Sequence, residues 1–412
     1  MSSLSPLQFA GAVSGAVMTV VWLVTLWRFS RVTGGLPVLR SGTAPATGPT
    51  PRISVIVAAK DEAANIEACV RSILAQDWPA LELVVVNDRS TDDTLPILER
   101  LAQEYGERLR VLTIRELPEG WGGQNHAISQ GVRVARGEWL LFTDADCKLD
   151  TPDTVRTAYA EAATRGADLL SIVPRMEAPT FWEQVYLPLC CLVFMMRLRI
   201  GEVNQPGSAA AYANGAFMLV RRSMYEALGG HARVRDQLND DIALAHLAKT
   251  EGYCLRVAGN ADLVRTRMYG SARQAWNGWA RNFYGTLRTP RNLFLALGGT
   301  LALFVLPWAL LLTCLALTRW ADASWSTAAL GWGAAVLVSH VGAWAVAWGL
   351  ALRPTASLLY FPGALFVSAI VARAWGRAWR NTSMVWQGAR YAPGSAPRAS
   401  AKSPSPSGRG PG

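Results

Sequence analysis

EWLLFTDADC, residues 138–147, is the stretch on which the reading of this chain turns. Residues 138–142 are a short apolar run and read as a buried strand. The run ends in Thr143, Asp144, Ala145 and Asp146, so two carboxylates one residue apart close a core element. Each costs several kcal/mol to desolvate unless it is paired or bound to a cation. A hard divalent cation with a diphosphate on its far side removes that cost. A strand that simply ends in a solvated loop would look the same over these four residues, so the flanking sequence has to separate the two.

Outward from this point, strand and helix patterns alternate. Ile53–Ala59 (ISVIVAA), 81–87 (LELVVVN) and 110–114 read as further strands, and 62–75, 92–105 and 124–136 as helices between them. Such alternation predicts an α/β domain built on a mainly parallel, doubly wound sheet with helices on both faces. Ligands then sit at the carboxyl ends of the strands. Asp61, Asp88 and the Asp144/Asp146 pair all fall just past such ends. Acidic residues after three separate strands predict one convergent site.

Composition adds a membrane. Of 412 residues, 51% are hydrophobic and only 17% charged, and the apolar residues are clustered. Residues 7–27 are long enough to span a bilayer; no basic residue precedes them, while Arg28, Arg31 and Arg40 follow. That asymmetry predicts an uncleaved anchor whose carboxyl end is cytoplasmic. The expected organisation is an anchor at 1–28, a linker at 29–52 and a catalytic domain at 53–290. Membrane segments at 291–372, a basic, Trp-containing stretch at 373–391 and a disordered tail at 392–412 complete it. Residues 181–200 are apolar but carry Glu183, Pro188, Arg197 and Arg199, which fits either an interfacial helix or a buried core helix. Three C-terminal spans would leave Arg373, Arg377, Arg380 and Arg390 on the side opposite the catalytic domain, against the usual placement of positive charge. A re-entrant third segment, the one holding Pro362 and Gly363, would remove that conflict. The net charge of +10 suits anionic lipid and a polyphosphate substrate, and no zinc-finger spacing or basic repeat points to nucleic acid. Six cysteines without a C-x-x-C pair suggest neither a disulfide framework nor a zinc site, and fit a cytoplasmic main domain.

Six ordered motifs carry a resemblance: AAKDEAANI (58–66), VVVNDRSTDDT (84–94), LPEGWGGQNHAISQG (117–131), TDADC (143–147), VRDQLNDDIALAHLAKTEGY (234–253) and RMYGSARQAWNGWARNFYG (267–285). In this order they resemble the membrane-anchored family 2 glycosyltransferases of GT-A fold, and within them the lipid-modifying branch that includes ceramide, carotenoid-acid and hopene-associated enzymes. The likeness runs from about Ile53 to Tyr284, with an echo near 386–391. It implies a GT-A nucleotide-diphospho-sugar transferase fold plus transmembrane helices, a UDP-sugar donor, Mg²⁺ or Mn²⁺, and an acceptor lipid in the bilayer.

By the same resemblance Asp61 and Glu62 contact the nucleotide and Asp88 its base; Asp92 and Asp93 suit helix capping instead. Gly122 and Gly123 allow close backbone approach, Asn125 keeps the family pattern, and Gln124 stands where similar enzymes carry Lys. Asp144 and Asp146 hold nucleotide and metal, with Asp146 the direct ligand. Asp241 maps to the general base, and Asp240 to the residue that orients it or touches the sugar. Asn214 and Gly215 resemble the acceptor-side wall. Trp276 and Trp279 belong to a W-x-G-W pattern on that side and also suit a membrane-interface belt. Arg281 replaces the usual Lys of that pattern and brings a cation for the departing diphosphate. The four histidines, His126, His231, His246 and His340, are scattered and take no role. The reading is an inverting transfer of one sugar to a lipid hydroxyl. A processive polysaccharide synthase, an inactive membrane scaffold and transfer to polyprenyl phosphate remain open beside it, although the Q-x-x-R-W of the processive enzymes is absent after Gln274.

Overall fold

The structure, a computed structural model, describes residues 4–43, 50–350, 352–382, 384–386 and 389–391. The expected tail from 392 onward and part of the expected linker, 44–49, lie outside them.

The soluble region is built on strands β1 (Val38–Leu39), β2 (Ile53–Ala59), β3 (Leu81–Asp88), β4 (Leu109–Ile114) and β5 (Trp139–Asp144), followed by β6 (Cys147–Leu149), β7 (Leu169–Ile172), β8 (Arg175–Met176), β9 (Met218–Arg221), β10 (Leu255–Asn260) and β11 (Val264–Thr266). The main sheet has the order β1-β10-β7-β9-β5-β2-β3-β4. β5, β2, β3 and β4 run parallel, while β9 is antiparallel to both β5 and β7. From β2 the chain winds one way to β3 and β4, then returns to place β5 on the other side. The β2–β5 gap is therefore the topological switch point, and a crevice opens at its carboxyl end. β6, β11 and β8 form a small second sheet beside that end.

These strands form where they do because β-branched runs can be buried on both faces. Ile53, Val55, Ile56 and Val57 are all fully buried, and each such side chain stabilises the fold by about 1.5–3 kcal/mol relative to exposure. The helices up to residue 287 are α1 (Pro6–Thr33), α2 (Ile66–Leu74), α3 (Thr94–Tyr105), α4 (Gly123–Val134), α5 (Thr154–Thr164), α6 (Phe181–Leu198), α7 (Arg222–Ala227), α8 (Asp240–Thr250) and α9 (Ala272–Leu287); α1, α6 and α9 pack with the apolar helices rather than on the sheet. α2 shows the logic: Ile66, Cys69, Val70, Ile73 and Leu74 are buried, the spacing of one helical face. α6 holds the apolar stretch around 181–198. It starts on a capping box between Thr180 and Glu183, and its middle (Tyr186, Leu187, Leu189, Cys190) is buried among the apolar helices. Phe181 and Trp182 at its start stay exposed.

Four stretches are long and apolar enough to cross a membrane: Pro6–Ser30, Pro290–Trp320, Ala323–Gly349 and Thr355–Trp379. The last three contain α10 (Pro290–Thr300) and α11 (Leu306–Trp320), joined by a π turn, then α12 (Ser326–Gly349) and α13 (Tyr360–Trp379). α1 and α12 run parallel: Gly11 lies against Ala328, Gly15 against Gly331 and Gly342 against Leu26. α13 runs antiparallel to α10, since Tyr360 stacks on Phe304 while Trp375 stacks on Phe294. α13 thus starts deep along the α10–α11 helix and ends at the soluble region, where Arg373 donates to Asn277 of α9 at 2.9 Å.

Candidate functional site

The crevice at the switch point is lined by Ala58, Ala59, Lys60, Glu62, Asp88, Gln124, Asp144, Ala145, Asp146, Met268, Tyr269 and Arg281. β2 delivers Lys60 and Glu62, β3 delivers Asp88, and β5 delivers the carboxylate pair. The three strand ends singled out in the sequence do converge. α9 reaches over the top and supplies Arg281.

Each carboxylate has its own surroundings. Asp144 and Asp146 face one another at the mouth of β5. Burial, and for Asp144 the added repulsion of Asp146, Asp240 and Asp241, pushes their carboxyls above the ordinary range. Glu62 is pushed up to about 7, first by burial and then by the nearby charges of Asp146, Asp92 and Asp61, although Asn65 donates to it at 2.9 Å. Asp88 is almost fully buried and is gripped by Arg89 in a two-pronged ion pair at 2.7 and 2.9 Å. A side chain on Gly123 would put a carbon 2.6 Å from Asp88 Oδ2, so glycine is required for α4 to start against that carboxylate.

Asp144, Asp146 and Cys147 place ligand atoms within 4.8 Å of one another. The Cys147 thiol is held protonated by burial and by the two carboxylates, so the usable donors are oxygens. Two partly buried carboxylates side by side fit Mg²⁺ or Mn²⁺, which prefer hard oxygen donors.

Asp241, in the first turn of α8, is not among the residues that line the crevice. Its Oδ2 accepts the Gly215 N–H at 3.0 Å and its Oδ1 accepts the Ile242 N–H at 2.7 Å. Burial, then the neighbouring Asp240, pushes its carboxyl up to about 7. A methyl placed on Gly215 would sit 3.3 Å from Asp144 Oδ2 and 3.7 Å from Asp241 Oδ2. The two carboxylates therefore flank one glycine, whose missing side chain keeps the space between them open.

Other expected residues fall elsewhere. Asp61, with φ of 56°, accepts from the Thr91 N–H and hydroxyl and ties the β2 and β3 loops together. Asp92 accepts from the backbone of Thr94 and Ala63, in keeping with its expected capping part, while the Asp93 side chain makes no cap bond. Asn125 donates both amide protons to the carbonyls of Val234 and Gln237, so it fixes the loop that leads to Asp240 and does not line the crevice. Gln124 donates to Asp144 Oδ1 at 3.0 Å. Asn214 folds its own turn, accepting from Ala216 N and donating to the Tyr212 hydroxyl. Trp276 and Trp279 pack on Phe366, Phe194 and Phe283, at the junction with the apolar helices. Three lining residues went unnoticed in the sequence: Lys60, Met268 and Tyr269. Lys60 sits one residue before a quoted acidic pair and was legible in principle. Tyr269 lies on α9 only because Gly278 has no side chain, a long-range fit with no local signal.

Residues 54–229 match the family described as Glycosyl transferase family 2. They form a family 2 glycosyltransferase domain. A curated relative named 4,4'-diaponeurosporenoate glycosyltransferase, from Staphylococcus aureus strain USA300, is 27% identical over 232 residues, which is 56% of this chain and 60% of that relative. Its counterpart from the bovine strain RF122 is 26% identical over the same length. Among solved structures, a mannosyltransferase of Pyrobaculum calidifontis in complex with GDP-Man and Mn²⁺ superposes with a TM-score of 0.54 at 21% identity, over 90% of this chain and 99% of that one. The chain thus has the GT-A fold, a mixed, mostly parallel sheet with helices, joined among the described residues to four candidate membrane helices.

Proposed function

We propose that this glycosyltransferase moves one sugar from a nucleoside-diphosphate sugar, a UDP-sugar, to a hydroxyl of a lipid held in the membrane, with inversion at the anomeric carbon. The observation that carries the reading is the placement of Asp241 opposite Asp144 across Gly215. One side of that gap suits a sugar diphosphate and the other suits an acceptor.

Asp241 accepts the proton of the acceptor hydroxyl. The oxygen then bonds to the anomeric carbon as the bond from that carbon to the diphosphate oxygen breaks. A carboxyl poised near neutrality is matched to this task, and two backbone N–H groups hold its orientation. Arg281 and Lys60 face the crevice and stabilise the negative charge gathering on the leaving diphosphate. They make up for Gln124, which binds Asp144 instead. A divalent cation on Asp146 and Asp144 supplies further positive charge to that diphosphate when bound. Asp88 and Glu62 line the far end, where the nucleoside lies.

The acceptor reading is supported by the apolar helices packed directly under α6 and α9. α1 alone leaves Leu7, Phe9, Val13, Val17, Val20 and Trp27 exposed, an apolar belt suited to lipid. The name of the Staphylococcus relatives points the same way. With the basic ends of the helices at the domain side, the catalytic domain faces the cytoplasm.

The test is transfer by purified protein in nanodiscs, given radiolabelled UDP-sugars, Mn²⁺ and extracted lipids. A product lipid heavier by one sugar is expected. A ladder of oligomers, or transfer to water-soluble acceptors only, would overturn the reading.

A further inference from the structure

His231 lies outside the crevice, and no feature of the sequence drew attention to it. The structure buries it behind the two carboxylates that open α8. Its Nε2 is 3.2 Å from Asp240 Oδ2, and its Nδ1 is 2.8 Å from the Tyr225 hydroxyl. The same hydroxyl lies 3.0 Å from the His231 backbone nitrogen. His231 is 3% exposed and Asp240 is 8% exposed, so water does not complete this set.

The directions of these bonds follow from chemistry. A backbone N–H can only donate, so the Tyr225 oxygen accepts from it and turns its own proton toward Nδ1. With Nδ1 as acceptor, the ring proton sits on Nε2 and points at Asp240. The turn is built for this contact. Gly230 has φ of +54°, and a side chain there would meet the Tyr225 ring at 2.5 Å. The imidazole also rests edge-on against Phe142 of β5, two residues before Asp144, at 5.1 Å.

We infer that His231 is a positioning residue for sugar transfer: its Nε2–H, with the tautomer set by Tyr225, holds the Asp240 carboxylate fixed beside the base Asp241. This rests on the proposed role of Asp241. The charged and titratable groups around Asp241 are Asp240 on its own helix, Asp144 at the end of β5, Arg281 of α9 and the Tyr212 phenol. Asp240 is the first of the nearby charges that raise Asp241. Without that donor the Asp240 carboxylate is free to turn away from Asp241. Its repulsion of Asp241 then disappears, and Asp241 becomes a weaker base held less firmly.

The experiment is the pH dependence of kcat and of donor KM in nanodiscs for wild type, His231→Phe, His231→Gln and Tyr225→Phe. His231→Phe keeps the ring against Phe142 and loses the donor. Its kcat at the pH plateau is expected to fall by about tenfold or more while donor KM stays within about twofold, and the acid limb is expected to move to lower pH. Tyr225→Phe should change kcat and the limb in the same direction by less. His231→Gln, which keeps an N–H donor, should recover much of the loss. A lower plateau with the limb unmoved in both His231→Phe and Tyr225→Phe would show a merely structural part and overturn the inference, as would unchanged profiles in both. Tyr225→Phe carries the test if His231→Phe does not fold. Lack of any transfer by wild type overturns the functional reading as well. Transfer that Asp241→Asn abolishes but His231→Phe leaves unaltered overturns the inference alone.

Discussion

Asp241 carries the most demanding expectation. Its carboxyl is raised to about 7, so below that pH it is protonated and cannot accept the acceptor's proton. Activity should therefore fall on the acid side of neutrality and level off above it, in a kcat/KM profile taken at saturating Mn²⁺. Asp241→Asn should lower kcat by about 10²–10⁴-fold and leave nucleotide binding, read by calorimetry, nearly unchanged. Gln124→Lys would place a cation beside Asp144 and the diphosphate, and should lower donor KM. Arg281→Gln should raise it, and steady-state kinetics on the two variants checks both signs. Asp88 and the Asp144/Asp146 pair were legible in the sequence because each follows a strand end, where the sheet topology gathers them, whereas Asp240 and Asp241 open α8 and were reached only through the family resemblance. Asn125 was not, because whether an amide points at the crevice or at the Val234 carbonyl depends on a loop more than a hundred residues away. His231 was invisible for the same reason: its meaning lies in Tyr225 and Asp240 around it, which no local pattern predicts.

At the scale of elements, the four strands β2–β5 were legible to within a residue or so, because runs such as Ile53–Ala59 are apolar throughout and end abruptly at polar residues, while β1 and β6–β11 were too short or too irregular in pattern to be read. The helix expected at 62–75 begins only at Ile66, since Glu62 and Ala63 spend their N–H groups on Thr94 and Asp92 of the neighbouring loop. The seating of α6 was not legible, because its Pro and Arg residues suit an interface as well as a covered helix. Its contact with α13 is close. A side chain on Gly363 would lie 2.2 Å from the Val185 carbonyl oxygen, a backbone atom that cannot swing away. Gly363→Ala should therefore cost about 1–3 kcal/mol and lower the thermal unfolding midpoint of the detergent-solubilised protein. Gly376→Ala, on the same helix, meets nothing within 4 Å and should leave that midpoint unchanged or raise it. Equal losses in both variants would mean that the α6–α13 contact is not as tight as described.

The charge conflict posed by counting spans belongs to the whole molecule. α1 and α12 run in one direction, and the continuous α10–α11 helix runs against them, with the Trp22 indole donating to Leu303 and Trp308 beside His340. Tyr360, the first residue of α13, stands level with Leu303 and Phe304, and so about 20 Å along the helix from Pro290. From there α13 heads back toward Pro290 and the soluble domain. On this packing we propose that three helices cross the bilayer and that α13 enters and returns on the side of the catalytic domain. Arg373, Arg377 and Arg380 join Arg28 and Arg291 at that face, as positive charge prefers. Single cysteines test this arrangement directly. Cys254 is the one cysteine with partial exposure among the six, so Cys254→Ser gives a quiet background. In sealed vesicles, Asn381→Cys at the end of α13 should react with an impermeant maleimide from the same side as Gln103→Cys on α3, and Ala323→Cys between α11 and α12 from the opposite side. If position 381 reacted from the side of position 323, α13 would have to cross the bilayer, and its antiparallel packing on α10 could not hold in the membrane.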